Sequence, residues 1–295
     1  MSSHRERNDR KSKKAQGLAH SAAKPRKGGW SPTPTQGKPT GKAVGESRRE
    51  RPAVKGGGDH DNWVWGRHPV LAALDNPARQ GTFRLVLSPE REGEIDRARL
   101  RPGVRVEAMD PAALARLLPQ GAVHQGMALK APPIEPISLA AMAEGGSGVI
   151  LMLDQVTDPH NVGAIFRSAA AFGARGVIVQ DRHAPLLNGT VAKASVGAVD
   201  ALPHARVTNL SRALETLAEM GWRAVGLSGE GDRTLDQVLD GRPTVLVLGS
   251  EGDGIRRLVA EHCDELARIA MPGGFESLNV SNAAAIALYE ASRPR

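Results

Sequence analysis

The sequence predicts an α/β protein whose larger part is a parallel sheet covered by helices on both faces. Three observations carry this. Five short, uniformly apolar segments between residues 149 and 271 alternate with helix-like ones, the pattern of parallel strands buried on both sides. Aromatics are scarce, four Trp, four Phe and one Tyr, so the core must be built from Leu, Val, Ile and Ala. The 295 residues suffice for about two domains, and a Pro- and Gly-rich stretch at 132–147 is placed to join them.

The elements follow in order. Residues 1–60 hold Lys, Arg, Gly, Ser and Pro with almost no large apolar side chain. Such a segment cannot bury enough surface to offset its ordering entropy and is predicted to be disordered. Residues 1–58 carry 15 Lys and Arg against 4 Asp and Glu, a net +11, whereas 59–295 carry 24 against 28, a net −4. The basic excess therefore lies in the first fifth of the chain. It reads as a solubilising tail or as an electrostatic arm for a polyanion, nucleic acid above all. Its one aromatic, Trp30, gives no stacking platform. The rest of the chain has only two lysines, Lys130 and Lys193.

Residues 61–131 read as a small α/β domain. "WVWGRHPVLAALDN" gives a strand and a helix with Pro69 at its first position. Strands follow at 83–88, 104–109 and 124–131, with a polar helix at 90–100 and a second helix opened by Asp110 as cap and Pro111. Residues 148–295 form the larger domain, with strands at 149–154, 176–180, 223–228, 244–249 and 267–271 and helices near 161–172, 209–220, 254–262 and 278–291. No apolar run approaches the ~20 residues of a membrane span. There is no signal-peptide core at the N-terminus, and the single Cys263 excludes an internal disulfide. A cytoplasmic protein is expected.

In open α/β sheets ligands bind beyond the carboxyl ends of strands, and three loops there carry more polar residues than turns require. In "LDQVTDPHNVGAIFRSAAAFGA" (153–174), Asn161 can cap the helix, Val162, Ile165, Ala169 and Phe172 make its apolar stripe, and Arg167 falls off that stripe. Arg167 is either solvated or a ligand for phosphate or an oxyanion, which its planar fork suits. In "LVLGSEGDGI" (246–255), Gly249, Gly252 and Gly254 follow a buried strand, with Glu251 among them as a candidate acid or base. The spacing is neither G-x-G-x-x-G nor a P-loop, which disfavours a dinucleotide Rossmann site and leaves an ordinary turn or another nucleotide-like ligand. In "MPGGFESLNVSNAAAIALYE" (271–290), Ser277 can cap the last helix, leaving Asn279 and Ser281 unexplained.

Taken in order, N-x-G-x-x-x-R, G-x-E-G-x-G and S-L-N-V-S-x-A resemble the three motifs of the SpoU branch of the SPOUT RNA methyltransferases. "WGRHPVLAAL" and "HQGMALKA" look like the start and end of an L30e-like RNA-binding domain, as in the 23S rRNA guanosine 2′-O-methyltransferase subfamily. The resemblance implies methyl transfer from S-adenosylmethionine to a ribose 2′-hydroxyl of 23S rRNA, a C-terminal trefoil knot, and a homodimer with the active site near its interface. It implies cofactor contacts at Gly249, Gly252, Ile269, Met271 and Leu278, no metal, and catalytic roles for Arg167, Asn161, Glu251 and Asn279. Arg167 would grip a phosphate and stabilise charge on the reacting oxygen, Glu251 or that phosphate would accept the proton, and the two asparagines would orient the ribose and Arg167. A tRNA 2′-O-methyltransferase and a non-catalytic RNA-binding module are the alternatives.

Overall fold

The computed structural model describes residues 62–274 and 277–294; the basic segment predicted at 1–60 lies outside the described residues. The chain first builds a small sheet. Its elements are β1 (Trp63–Trp65), α1 (Arg67–Asp75), β2 (Phe83–Leu87), β3 (Val104–Ala108), α2 (Pro111–Ala115) and β4 (Met127–Lys130). The order is β1-β4-β2-β3, with β2 and β3 parallel and β4 antiparallel to both β1 and β2. Asp110 caps α2 as predicted, accepting from the Ala112 N–H at 3.2 Å. Pro69 is the third residue of α1, not the first. The helix predicted at 90–100 is two 3-10 segments, Pro89–Glu94 and Arg97–Arg99. That stretch has Gly93 and no buried residue inside either segment, so no apolar stripe holds a full helix together.

The linker carries a short helix, α3 (Leu139–Ala143), capped by Ser138. A seven-stranded sheet follows. Its strands are β5 (Val149–Leu153), β6 (Gly176–Gln180), β7 (His204–Val207), β8 (Arg223–Leu227), β9 (Arg233–Thr234), β10 (Thr244–Leu248) and β11 (Glu265–Arg268). Its helices are α4 (Pro159–Ala171), α5 (Gly189–Ala194), α6 (Ala198–Ala201), α7 (Leu210–Glu219), α8 (Leu235–Val238), α9 (Arg257–Ala260) and α10 (Val280–Ser292). The order is β7-β6-β5-β10-β8-β11-β9 and every pairing is parallel. The five predicted strands are present. The last is shifted: after Arg268 the chain leaves the sheet, so Ile269 and Met271 belong to a loop.

Chain direction across the sheet reverses between β5, which leads to β6 on one side, and β10, which leads to β11 on the other. That crevice is where an open parallel sheet binds ligands. The helix layer beside it is close-packed. A Cβ at Gly163 of α4 would lie 2.5 Å from the Ala194 Cβ and 2.8 Å from the Val191 carbonyl, so glycine there lets α5 lie against α4. One buried cluster runs from Val64, Phe83 and Leu85 of the small sheet to Leu151, Val162 and Leu246 of the large one. The seam between the two sheets is therefore core, not surface.

His204, at the start of β7, is 2% exposed and its Nδ1 has no hydrogen-bond partner among the described residues. Burial, then the charges of Arg206 and Arg79, depress its pKa from 6.5 to about 4. Below pH 6.5 the unfolded chain takes up a proton that the fold refuses. Stability should therefore fall as pH drops from 6.5 towards 4, by at most ~1.4 kcal/mol per pH unit for this one group. Denaturant melts of the parent and His204→Leu over that range check this, since the variant should lose that part of the slope.

Candidate active site

Each site segment is fixed by local chemistry. Asp158, not Asn161, caps α4: its carboxylate accepts from the His160 and Asn161 N–H groups, both at 3.2 Å. Asn279, not Ser277, caps α10: its Oδ1 accepts from the Ser281 N–H at 2.9 Å and the Ser281 Oγ at 2.6 Å. The cap releases Asn161 for other work and consumes half of Asn279. The loop after β10 closes on itself through reciprocal Ser250–Gly254 bonds of 3.0 and 3.2 Å. Gly252 and Gly254 take φ of +100° and +66°. A Cβ at Gly249 would sit 2.0 Å from the Gly254 carbonyl carbon. The bare α-carbon there is needed by the loop's own return strand, not only by a ligand.

The three motif segments meet at one carboxylate. Glu251 Oε1 accepts from Asn161 Nδ2 at 2.8 Å and from Asn279 Nδ2 at 2.6 Å, and Asn279 Nδ2 also lies 3.1 Å from Asn161 Oδ1. The amide orientations follow from the cap: Asn279 Oδ1 receives a backbone N–H, which only donates, so Nδ2 must face Glu251. Glu251 Oε2 has no partner among the described residues. Arg167 is not brought into this cluster. It lies on the exposed side of α4 and has no hydrogen bond or ion pair among the described residues.

Asp154 escaped the sequence reading. It is fully buried at the end of β5 and accepts from the Arg256 backbone N–H at 2.9 Å and from Arg256 Nε at 2.8 Å. It ties the first motif strand to the second motif loop. Its signal was an ionisable residue directly after the apolar run "VILML".

Beside the cluster opens a cavity of about 1240 Å³, walled by the loops after β8, β10 and β11 and by the start of α10. Gly249, Gly252, Ile269, Met271 and Leu278 all line it, as do Glu251 and Asn279. Leu278 is 38% exposed, an apolar side chain that packing does not use. Glycine backbone on one side and Ile269, Met271 and Leu278 on the other suit a flat heteroaromatic ligand with a polar sugar. Asn161 and Arg167 are not among the lining residues. Burial, with Asp264 and Asp154 adding to it, pushes the thiol of Cys263 up to about 12, which disfavours a thiolate there.

Residues 148–289 match the SpoU rRNA Methylase family, and residues 63–137 match the RNA 2′-O ribose methyltransferase substrate binding family. An uncharacterized tRNA/rRNA methyltransferase of Mycobacterium avium (strain 104) is 38% identical over 257 residues, covering 85% of this chain and 82% of the relative. Another, of Mycolicibacterium vanbaalenii, is 37% identical over 265 residues, covering 87% and 84%. The fold is similar to that of the SpoU methyltransferase AviRb from Streptomyces viridochromogenes in complex with AdoMet, at 26% identity and a TM-score of 0.66 over 78% of this chain and 88% of that one. It is similar also to an AdoMet-bound rRNA methyltransferase from Sinorhizobium meliloti, at 26% identity and a TM-score of 0.66 over 78% and 85%. The chain thus belongs to the SpoU family and is an S-adenosylmethionine-dependent RNA methyltransferase.

Proposed function

We propose that the chain methylates the ribose 2′-hydroxyl of a guanosine in 23S rRNA, with residues 61–131 as the RNA-binding domain. The observation that carries the reading is the Asn161–Glu251–Asn279 cluster at the cavity wall, with one carboxylate oxygen that has no partner among the described residues. Bound S-adenosylmethionine supplies an electrophilic methyl group. The residues must add position and charge. A ribose hydroxyl is a weak nucleophile whose proton has to leave as the oxygen attacks. Arginine stays protonated in proteins and is no simple base. Arg167 therefore holds the neighbouring phosphate and the negative charge growing on the oxygen. Glu251 accepts the proton at Oε2, while Asn161 and Asn279 keep its other oxygen fixed. In this arrangement the asparagines orient Glu251, where the sequence pointed to the ribose and Arg167.

The trefoil knot and the homodimer implied by the family resemblance belong to the same proposal. Phe172 of the α4 terminus is 37% exposed, and Ile286 and Tyr289 of α10 are 41% and 56% exposed. The Phe172 and Tyr289 rings lie 6.1 Å apart edge to face, an apolar patch that a second copy would cover, to be read by sedimentation. Transfer of labelled methyl from S-adenosylmethionine to transcribed 23S rRNA, followed by mapping of 2′-O-methyl positions, tests the substrate. Label in transcribed tRNA and none in 23S rRNA would reassign it, an outcome to which the tRNA/rRNA naming of the relatives gives weight.

The cofactor reading has its own check. Gly249→Ala must displace the Gly254 backbone that now lies 2.0 Å from the added Cβ. Affinity for S-adenosylhomocysteine should fall at least about tenfold by calorimetry, the scale of ~1.4 kcal/mol. Unchanged affinity would remove the loop from the cofactor site.

A further inference from the structure

Lys193, one of two lysines in residues 59–295, bridges the small sheet's loop and α5 at the seam and has no counter-ion among the described residues. It is the fifth residue of α5. Its Nζ donates to Gln125 Oε1 at 2.9 Å, and the same oxygen accepts the Arg67 backbone N–H at 3.2 Å. A backbone N–H only donates, so the orientation of this amide is settled, and Gln125 Nε2 with its two hydrogens is left over. Gln125 holds φ +54°, a left-handed conformation that non-glycine residues rarely adopt and that concentrates at functional sites. Gly66 makes room for the ammonium: a Cβ there would lie 2.4 Å from Nζ.

His124 adjoins them. Its Nδ1 accepts the Gly126 N–H at 3.1 Å, which puts the ring proton on Nε2. Burial first, then the Lys193 charge, lowers the His124 pKa, and burial lowers that of Lys193. On the small sheet's side, Glu94 is held by Arg67 at 2.6 Å and also by Arg91. Among the described residues no carboxylate pairs with Lys193. The groups left over are all donors: Lys193 Nζ, Gln125 Nε2 and His124 Nε2–H.

Donors without acceptors, around one uncompensated positive charge, form a site for a singly charged anion. We propose that this seam holds a backbone phosphodiester of the substrate RNA. The proposal deepens the RNA-methyltransferase reading and rests on it. A phosphodiester carries the single charge that Lys193 lacks, and Lys193 is one of only two lysines in residues 59–295.

The test uses the full chain, transcribed 23S rRNA and a salt series from 50 to 200 mM. Lys193→Gln should weaken binding about tenfold and reduce the log–log salt slope by about 0.7–0.9, the value for one phosphate contact. Lys193→Arg should keep the slope. Gln125→Glu puts a carboxylate against Lys193, so its melting temperature should hold or rise while RNA affinity falls. Unchanged salt slopes in Lys193→Gln and Gln125→Glu would overturn the proposal and leave Lys193 as a tether between the sheets. Methyl transfer by the parent chain is scored separately. RNA that binds but gains no methyl would defeat the substrate reading, and the slopes would still decide the site.

Discussion

Replacing Arg167 with alanine is expected to lower the rate of methyl transfer about 10²- to 10³-fold, the scale for losing one preorganised charge-stabilising donor. Affinity for S-adenosylhomocysteine should stay within about twofold, because Arg167 does not line the cavity. The melting temperature should also hold, since an exposed side chain without a protein partner contributes within about ±0.5 kcal/mol. Arg167→Lys restores the charge but not the two-pronged fork, so it should recover only part of the rate. Glu251→Gln is the complementary variant. Its amide oxygen can still accept from Asn161 and Asn279, so the cluster survives, but nothing remains at Oε2 to take a proton. Loss of general-base assistance is about 10²- to 10⁴-fold. Single-turnover rates under saturating RNA separate these effects from binding. Near-normal turnover in both Arg167→Lys and Glu251→Gln would sink the scheme.

What could be read from the sequence was whatever is encoded locally. The strands "VILML", "GVIVQ" and "TVLVL" are continuous apolar runs, and each lies where it was expected, at β5, β6 and β10. Strand β7, "HARV", was missed because its burial comes from Ala205 and the polar His204, not from an apolar run. Helices α5 and α6 were missed because Gly189, Gly197 and the β-branched Val191 and Val199 give weak helical signals, and packing against α4 supplies what propensity does not. The helix predicted at 254–262 shrinks to Arg257–Ala260, since Gly254 is spent on closing the loop with Ser250. At the site, residue types were legible and their assignments were not. Asn161 and Ser277 looked like caps, whereas Asp158 and Asn279 do that work. The meeting of Asn161, Glu251 and Asn279 spans 118 residues of sequence, and no periodicity reports contacts at that distance. The Asp154–Arg256 tie is of the same kind.

The same limit applies to the buried ion pair at the seam. Asp200→Asn should destabilise the protein by about 3–5 kcal/mol, the cost of leaving a buried charge unpaired, and lower the melting temperature on the order of 10 °C. Arg79, from the loop after α1, is wholly buried, and the side chain of Asp200 on α6 is 1% exposed. The guanidinium donates to both carboxylate oxygens, at 2.5 and 3.1 Å, and to the Pro132 carbonyl at 2.5 Å. Asn76 Nδ2 donates to the same carboxylate at 3.0 Å. One ion pair thus fastens the small sheet, the linker and the large sheet together. Removing the carboxylate strands a cation in a dry site; removing the cation, as in Arg79→Met, strands an anion, so each single change should cost a similar amount. Arg79→Met with Asp200→Leu removes both charges and should recover most of the loss, since a buried pair replaced by packed apolar groups is often neutral. A double-mutant cycle by denaturant melts measures that coupling. Arg79 Nη1 also donates to Asn188 Oδ1, at the start of α5, at 3.3 Å, so Asp200→Asn should also loosen the Lys193–Gln125 contact and weaken RNA binding more than cofactor binding. If Asp200→Asn melted within 2 °C of the parent, the seam would be held by its shared apolar core alone, and the charges would have no part in aligning the two sheets.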